Sequence, residues 1–129
     1  MLGNKDAVAN VAVKDLGVAT DFYRNTLGLK PVHQEGKELV VFQSGHSSIN
    51  VYRSEYAGTN KATAVTWTVD NVEDEIKALS NKGVVFEHYD LPGVEWNGDV
   101  ASLGDMGKAA WFKDSESNIL CIDDGFPVG

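Results

Sequence analysis

The stretch "AVANVAVKDLGVATDFYRNTLGLK" (residues 7–30) changes its apolar period part-way along. Up to Val13 the residues are mostly valine and alanine, as in a buried strand that ends at the polar corner Lys14-Asp15. From Asp15 onward Val18, Phe22, Tyr23 and Leu27 fall at i, i+4, i+5 and i+9, which is helical spacing. Asp15 is placed to cap that helix and Gly28 to stop it. The opening unit is therefore a strand followed by a helix.

Outward from this unit the pattern shortens. "LKPVHQEG", "KELVVFQSG" and "SSINVYRSE" read as three strands joined by the turn-like "EGKE" and "SGHS", so residues 7–55 spell βαβββ. After the linker-like "YAGTNK" the order begins again. "ATAVTWTVD" (62–70) is a strand, and "NVEDEIKALSNKG" (71–83) is a helix with Val72, Ile76 and Leu79 on one face and Gly83 at its end. "VVFEHYD", "GKAAWFKD" and "NILCIDD" supply three further strands of a second module, residues 62–125. Val13-Lys14-Asp15-Leu16 aligns with Val69-Asp70-Asn71-Val72, a period of about 56 residues. That period suits one domain over 1–129 built from a duplicated α+β module better than a repeat array.

Composition excludes several partners. The chain of 129 residues carries a formal net charge of −8, with 19 acidic residues against 11 basic ones, so a nucleic-acid partner is not expected. No apolar run approaches the length of a membrane helix, and neither a basic n-region nor an apolar h-region opens the chain. The expected location is the cytoplasm, with no membrane partner. A single cysteine, Cys121, cannot form an internal disulfide. The acidic surface serves solubility, and it also attracts a cationic ligand.

Two βαβββ halves in one short chain resemble the vicinal oxygen chelate superfamily, which includes glyoxalase I, extradiol dioxygenases, and fosfomycin- and bleomycin-resistance proteins. The resemblance rests on "VKDLGVATDFYRNTLGL", "TVDNVEDEIKALSNKGV" and "AAWFKDSESNILCI". The last is similar to the superfamily's closing hairpin Trp-Phe-x-Asp-Pro-x-Gly-Asn. Trp111, Phe112, Asp114 and Asn118 match it, whereas Ser115 replaces the proline and Ser117 the glycine. Asp114 can still bond backbone amides, and Asn118 tolerates a left-handed backbone. The implied fold is a curved mixed sheet forming a cup.

In metal-dependent members that cup holds a divalent ion on side chains from the first and last strands of each module. The resemblance places those positions on Val8, Asn50, Ala64 and Cys121. Valine and alanine cannot coordinate a cation, and an asparagine with one thiol is a poor set. No metal and no cofactor are therefore expected. His33, His46 and His88 lie on different elements with no ligand spacing between them, and a surface or hydrogen-bonded role is the plain reading of each. Asp123, on the same strand face as Cys121, leaves one route to a metal. Cys121 itself reads as a small buried hydrophobe, because Asp123 and Asp124 beside it oppose a reactive thiolate.

Strand parity gives the inward face of the cup as Val8, Asn10 and Ala12; Ser48, Asn50 and Tyr52; Ala64, Thr66 and Thr68; Ile119, Cys121 and Asp123. The opposite parity, with Val11, Val13, Val51, Val65, Trp67 and Ile122, is apolar and should pack under the helices. Residues 90–108 form a long Gly- and acid-rich loop whose Trp96 either closes over a ligand or anchors the loop. The expected ligand-binding residues are Asn10, Asn50, Tyr52, Thr66, Trp96, Cys121 and Asp123, with no catalytic residue assigned. The function these readings favour is sequestration of an aromatic or cationic small molecule, as in the bleomycin-resistance branch, without catalysis and as a homodimer. The alternative is a metal-dependent lyase, isomerase or dioxygenase with a displaced site at Asp123 and His46 or His88.

Overall fold

The computed structural model describes residues 1–125. Its first module runs β1 (Ala9–Val13), α1 (Leu16–Asp21), β2 (Lys30–Glu35), β3 (Leu39–Ser44) and β4 (Ser47–Arg53). The second runs β5 (Thr63–Thr68), α2 (Val72–Ser80), β6 (Phe86–Glu87), an inserted hairpin of β7 (Glu95–Asn97) and β8 (Val100–Ser102), then β9 (Lys108–Lys113) and β10 (Ile119–Asp123).

The sheets repeat one topology. The first has the order β1-β4-β3-β2 and the second β5-β10-β9, with β6 and β8 sharing the outer edge of β9 and β7 beyond β8. In each module the first and last strands pair in parallel and the other pairs are antiparallel. This is the α+β architecture of two βαβββ modules that the apolar pattern predicts.

The helix ends follow from local chemistry. Asp15 Oδ1 accepts the Val18 amide at 3.0 Å, and Asn71 Oδ1 accepts the Asp74 amide at 2.8 Å, each satisfying an N-terminal donor of its helix. After α1 the backbone widens into a π-type turn over Phe22–Thr26, closed by the Leu27 amide on the Phe22 carbonyl at 3.0 Å. Gly28 then takes φ +78° and ends it.

Parity sorts the faces as expected. Val11, Val13, Val40, Phe42, Ile49 and Val51 from the first sheet, and Phe86, Phe112, Leu120 and Ile122 from the second, join Tyr23, Val72 and Leu79 in one continuous core. Polar contacts link the modules within the chain. Tyr23 Oη donates to Asp114 Oδ2 at 2.7 Å, Asn118 Nδ2 donates to the Ala12 carbonyl at 2.7 Å, and Trp67 Nε1 donates to Ser44 Oγ at 2.9 Å.

Two local expectations are corrected. Ser117, not Asn118, takes the left-handed backbone of the closing hairpin, with φ 68°. The reason is that Asn118 is buried, its amide committed to Ala12 and to Asp114 Oδ2. Residues 90–108 are also not one long loop. Gly98-Asp99 turns the hairpin β7–β8, Gly98 supplying φ +61°, so Trp96 sits on a strand. Among the described residues no helix is long and apolar enough to cross a membrane.

Candidate functional site

Cross-strand pairing assembles the open faces row by row. On the first sheet Asn10 lies opposite Asn50, which lies opposite Val41 and then His33; Ala12, Tyr52, Leu39 and Glu35 form the next row. On the second sheet Thr66, Cys121, Trp111 and Glu87 form one row, and Thr68, Asp123, Ala109, Ala101 and Trp96 the next. The Asn10–Asn50 pair of one module thus corresponds to Thr66–Cys121 of the other.

These rows differ in chemistry. In the first sheet Asn50 Nδ2 donates to Asn10 Oδ1 at 3.2 Å, and Tyr52 is exposed beside them. The second is aromatic. The His88 ring stacks on Trp96 at 4.6 Å and 12°, Trp96 lies 6.1 Å from Trp111, and Tyr89 meets Trp111 edge-on at 6.0 Å. Trp111 Nε1 donates to Thr63 Oγ1 at 3.2 Å, fixing its ring, and a recess of about 280 Å³ opens beside it between Tyr89, Leu91 and Ile119. His88 Nε2 contacts Asp99 Oδ1 at 2.8 Å, which ties the sheet to the corner of the β7–β8 hairpin. Ala101, Ala109 and Cys121 are buried although they lie outside the main core, in the rows that Trp96 and Trp111 share.

Electrostatics quiet the thiol. Burial, and then the charge of Asp123, push Cys121 up from 9.0 to about 11, so at neutral pH it stays protonated and a poor nucleophile. Asp123 is itself engaged: its Oδ1 accepts from Thr68 Oγ1 at 2.9 Å and from the Gly125 amide at 3.1 Å. Burial, followed by the charge of Glu87, also raises the Tyr89 phenol.

Thr66, Trp96, Cys121 and Asp123 therefore share one face, while Asn10, Asn50 and Tyr52 share the corresponding face of the other sheet. Sequence reading passed over Trp111, Tyr89 and Glu87 as site residues and weighed His88 only as a ligand of a displaced metal. Trp111 was within reach, because the short turn after Asp114 makes β9 and β10 a hairpin and parity then puts Trp111 across from Cys121. A larger cleft of about 530 Å³ lies elsewhere, at the start of α1 between Lys14, Lys37 and Arg53; it has no aromatic wall, and Arg53 is paired with Glu38 at 2.7 Å.

The sequence profile described as the Glyoxalase/Bleomycin resistance protein/Dioxygenase superfamily matches residues 6–118. The chain belongs to that superfamily. Solved structures in it share the fold at low identity. A lactoylglutathione lyase from Agrobacterium tumefaciens superposes with TM-score 0.73 at 14% identity, over 95% of each chain. A bleomycin-binding protein from Streptomyces verticillus, complexed with copper(II)-bleomycin, gives 0.71 at 16%, over 97% of this chain and 99% of that one. An antibiotic binding protein from Streptomyces sp. CB03234 gives 0.63 at 18%, over 95% and 97%. No curated protein matches the sequence.

The residues present at the superfamily's metal positions do not fit a divalent cation. Val8 and Ala64 offer no donor, the Asn50 amide is engaged with Asn10, and Cys121 is a buried neutral thiol. His46 is exposed in the β3–β4 turn, His88 is held by Asp99 and Trp96, and Asp123 by Thr68. Among the described residues no three histidine, cysteine or acidic side chains converge to hold an ion.

Proposed function

We propose that this chain is a cytoplasmic binding protein that sequesters a planar aromatic, cationic compound without using a metal. The observation that carries the reading is the aromatic face of the second sheet, where Trp96, Trp111 and His88 present stacking surfaces beside the carboxylates of Glu87 and Asp123. Indole faces attract flat cations through dispersion and the ring quadrupole, and nearby carboxylates add a favourable field. The net charge of −8 draws such a ligand from a distance. A bleomycin-binding protein and an antibiotic binding protein share the fold, as does a lyase, and the aromatic face aligns this chain with the binders. A face of hydrogen-bonding groups, with Asn10, Asn50 and Tyr52 on the first sheet, supplies orientation.

Isothermal titration with ethidium and with metal-free bleomycin tests the proposal. Saturable binding of either is expected, and Trp96→Ala and Trp111→Ala should each weaken it about tenfold, the contribution of one stacked ring. Absence of heat with both ligands, or affinities indifferent to both substitutions, would overturn it. We further propose that two chains pair, because β2 and β7 leave open sheet edges. Sedimentation equilibrium should then give twice the 14.0 kDa chain mass.

A further inference from the structure

On the other side of the second sheet, facing the core, lies an apolar cavity of about 200 Å³. Leu27 and Leu29 enter it from the end of the first module's helix, Leu79 and Glu75 from α2, and Trp67 and Ile122 from the sheet. By parity Trp67 faces away from Thr66, so this cavity and the aromatic face use different tryptophans. A dry apolar cavity of about 150 Å³ is enough to take a benzene-sized guest.

Glu75 breaks the apolar lining. It is half-buried one turn into α2, and among the described residues its carboxylate has no ion-pair or side-chain hydrogen-bond partner. The same residue reaches a neighbouring cleft shared with Asp70 and Asp74, so the charge around the mouth is negative. Lys108, the cation of the adjoining strand, is bound to Glu73 at 2.8 Å. An anionic guest is repelled here, and a neutral one leaves the carboxylate unpaired. We propose that the cavity is a second ligand site, for a small monocyclic aromatic amine whose ring lies among Leu27, Leu79 and Ile122 and whose ammonium meets Glu75. This site does not depend on the reading of the aromatic face, and either can fail alone.

The test is a titration of the isotopically labelled chain with 2-phenylethylamine, followed by ¹H–¹⁵N spectra in which single Trp→Phe variants assign the three indole signals. The Trp67 indole and the Leu79 amide should shift saturably with a Kd of about 1 mM or tighter, within reach of a fragment of this size, a response read separately from any at Trp96 and Trp111. Glu75→Gln should weaken 2-phenylethylamine about tenfold and leave the neutral 2-phenylethanol unchanged, since only the first carries a charge to lose. Leu27→Phe, at the half-buried rim, should remove both by filling the space. No saturable shift at Trp67, shifts confined to Trp96 and Trp111, or an amine affinity indifferent to Glu75→Gln would each overturn the proposal.

Discussion

Ser117 holds a left-handed backbone at the tip of the β9–β10 turn, where the superfamily's closing hairpin has glycine. An L side chain there costs about 1 kcal/mol relative to glycine. Ser117→Gly should therefore raise the urea midpoint, by about 0.5–1 kcal/mol of stability, with the unfolding slope unchanged. Three residues earlier in the same turn region the opposite holds. Buried Asp114 accepts from Tyr23 Oη, from Asn118 Nδ2 and from the amides of Glu116 and Asn118. Asp114→Ala strands all four donors and should cost about 3 kcal/mol, whereas Tyr23→Phe, which removes one bond, should cost about 1 kcal/mol. Asp114 could be assigned to amide bonding from its motif alone; its bond to Tyr23 could not, because the two are 91 positions apart in the chain. Cys121 and Tyr23 also set an alkaline limit. Burial raises both groups, the thiol from 9.0 to about 11 and the phenol well above its ordinary range. Each loses its proton more readily in the unfolded chain, so their stabilisation is complete below about pH 9 and is lost as pH rises through the folded values. Urea midpoints should fall between about pH 9 and pH 11, and less steeply in Cys121→Ala.

At the scale of elements, the β7–β8 hairpin decides what the second face can hold. Its strands are three residues each and its attachment is narrow: pairing to β9, the His88–Asp99 contact and the stack of His88 on Trp96. Such an element belongs to the low-stability end of a fold. His88→Ala should speed amide exchange across Val100–Ser102 while leaving exchange in β3 and β4 unchanged, and it should weaken the aromatic ligand through a displaced Trp96. The hairpin escaped sequence reading for a physical reason. Alternation needs at least four residues to show itself, and strands of three sit below that threshold. Only the Gly98-Asp99 pair at the corner carries a turn signal. The longer strands and both helices were legible because burial on one face imposes a period, and Asp15 and Gly28 stand where the caps require them.

The whole molecule is two copies of one topology around a common core, linked through Tyr23–Asp114, Asn118–Ala12 and Trp67–Ser44. Those links predict a single cooperative unfolding transition, with far-ultraviolet dichroism and tryptophan emission giving coincident midpoints. The charge of −8 predicts that affinity for a cationic ligand falls severalfold as ionic strength rises from about 0.02 to 0.3 M, as screening shortens the field. Duplication was visible in the order of elements. The binding face was half visible, since parity names the residues on one strand but not which strand of the other module stands across from it. The inserted hairpin occurs in the second module alone, so the repeat of the first module's topology stops short of Trp96. A symmetric receptor presents a flat guest with two equivalent orientations related by a half-turn. On the function proposed above, indole stands on one module and amide on the other, so a flat guest with two unlike ends should bind in a single orientation, read as contacts of only one of its ends with Trp96.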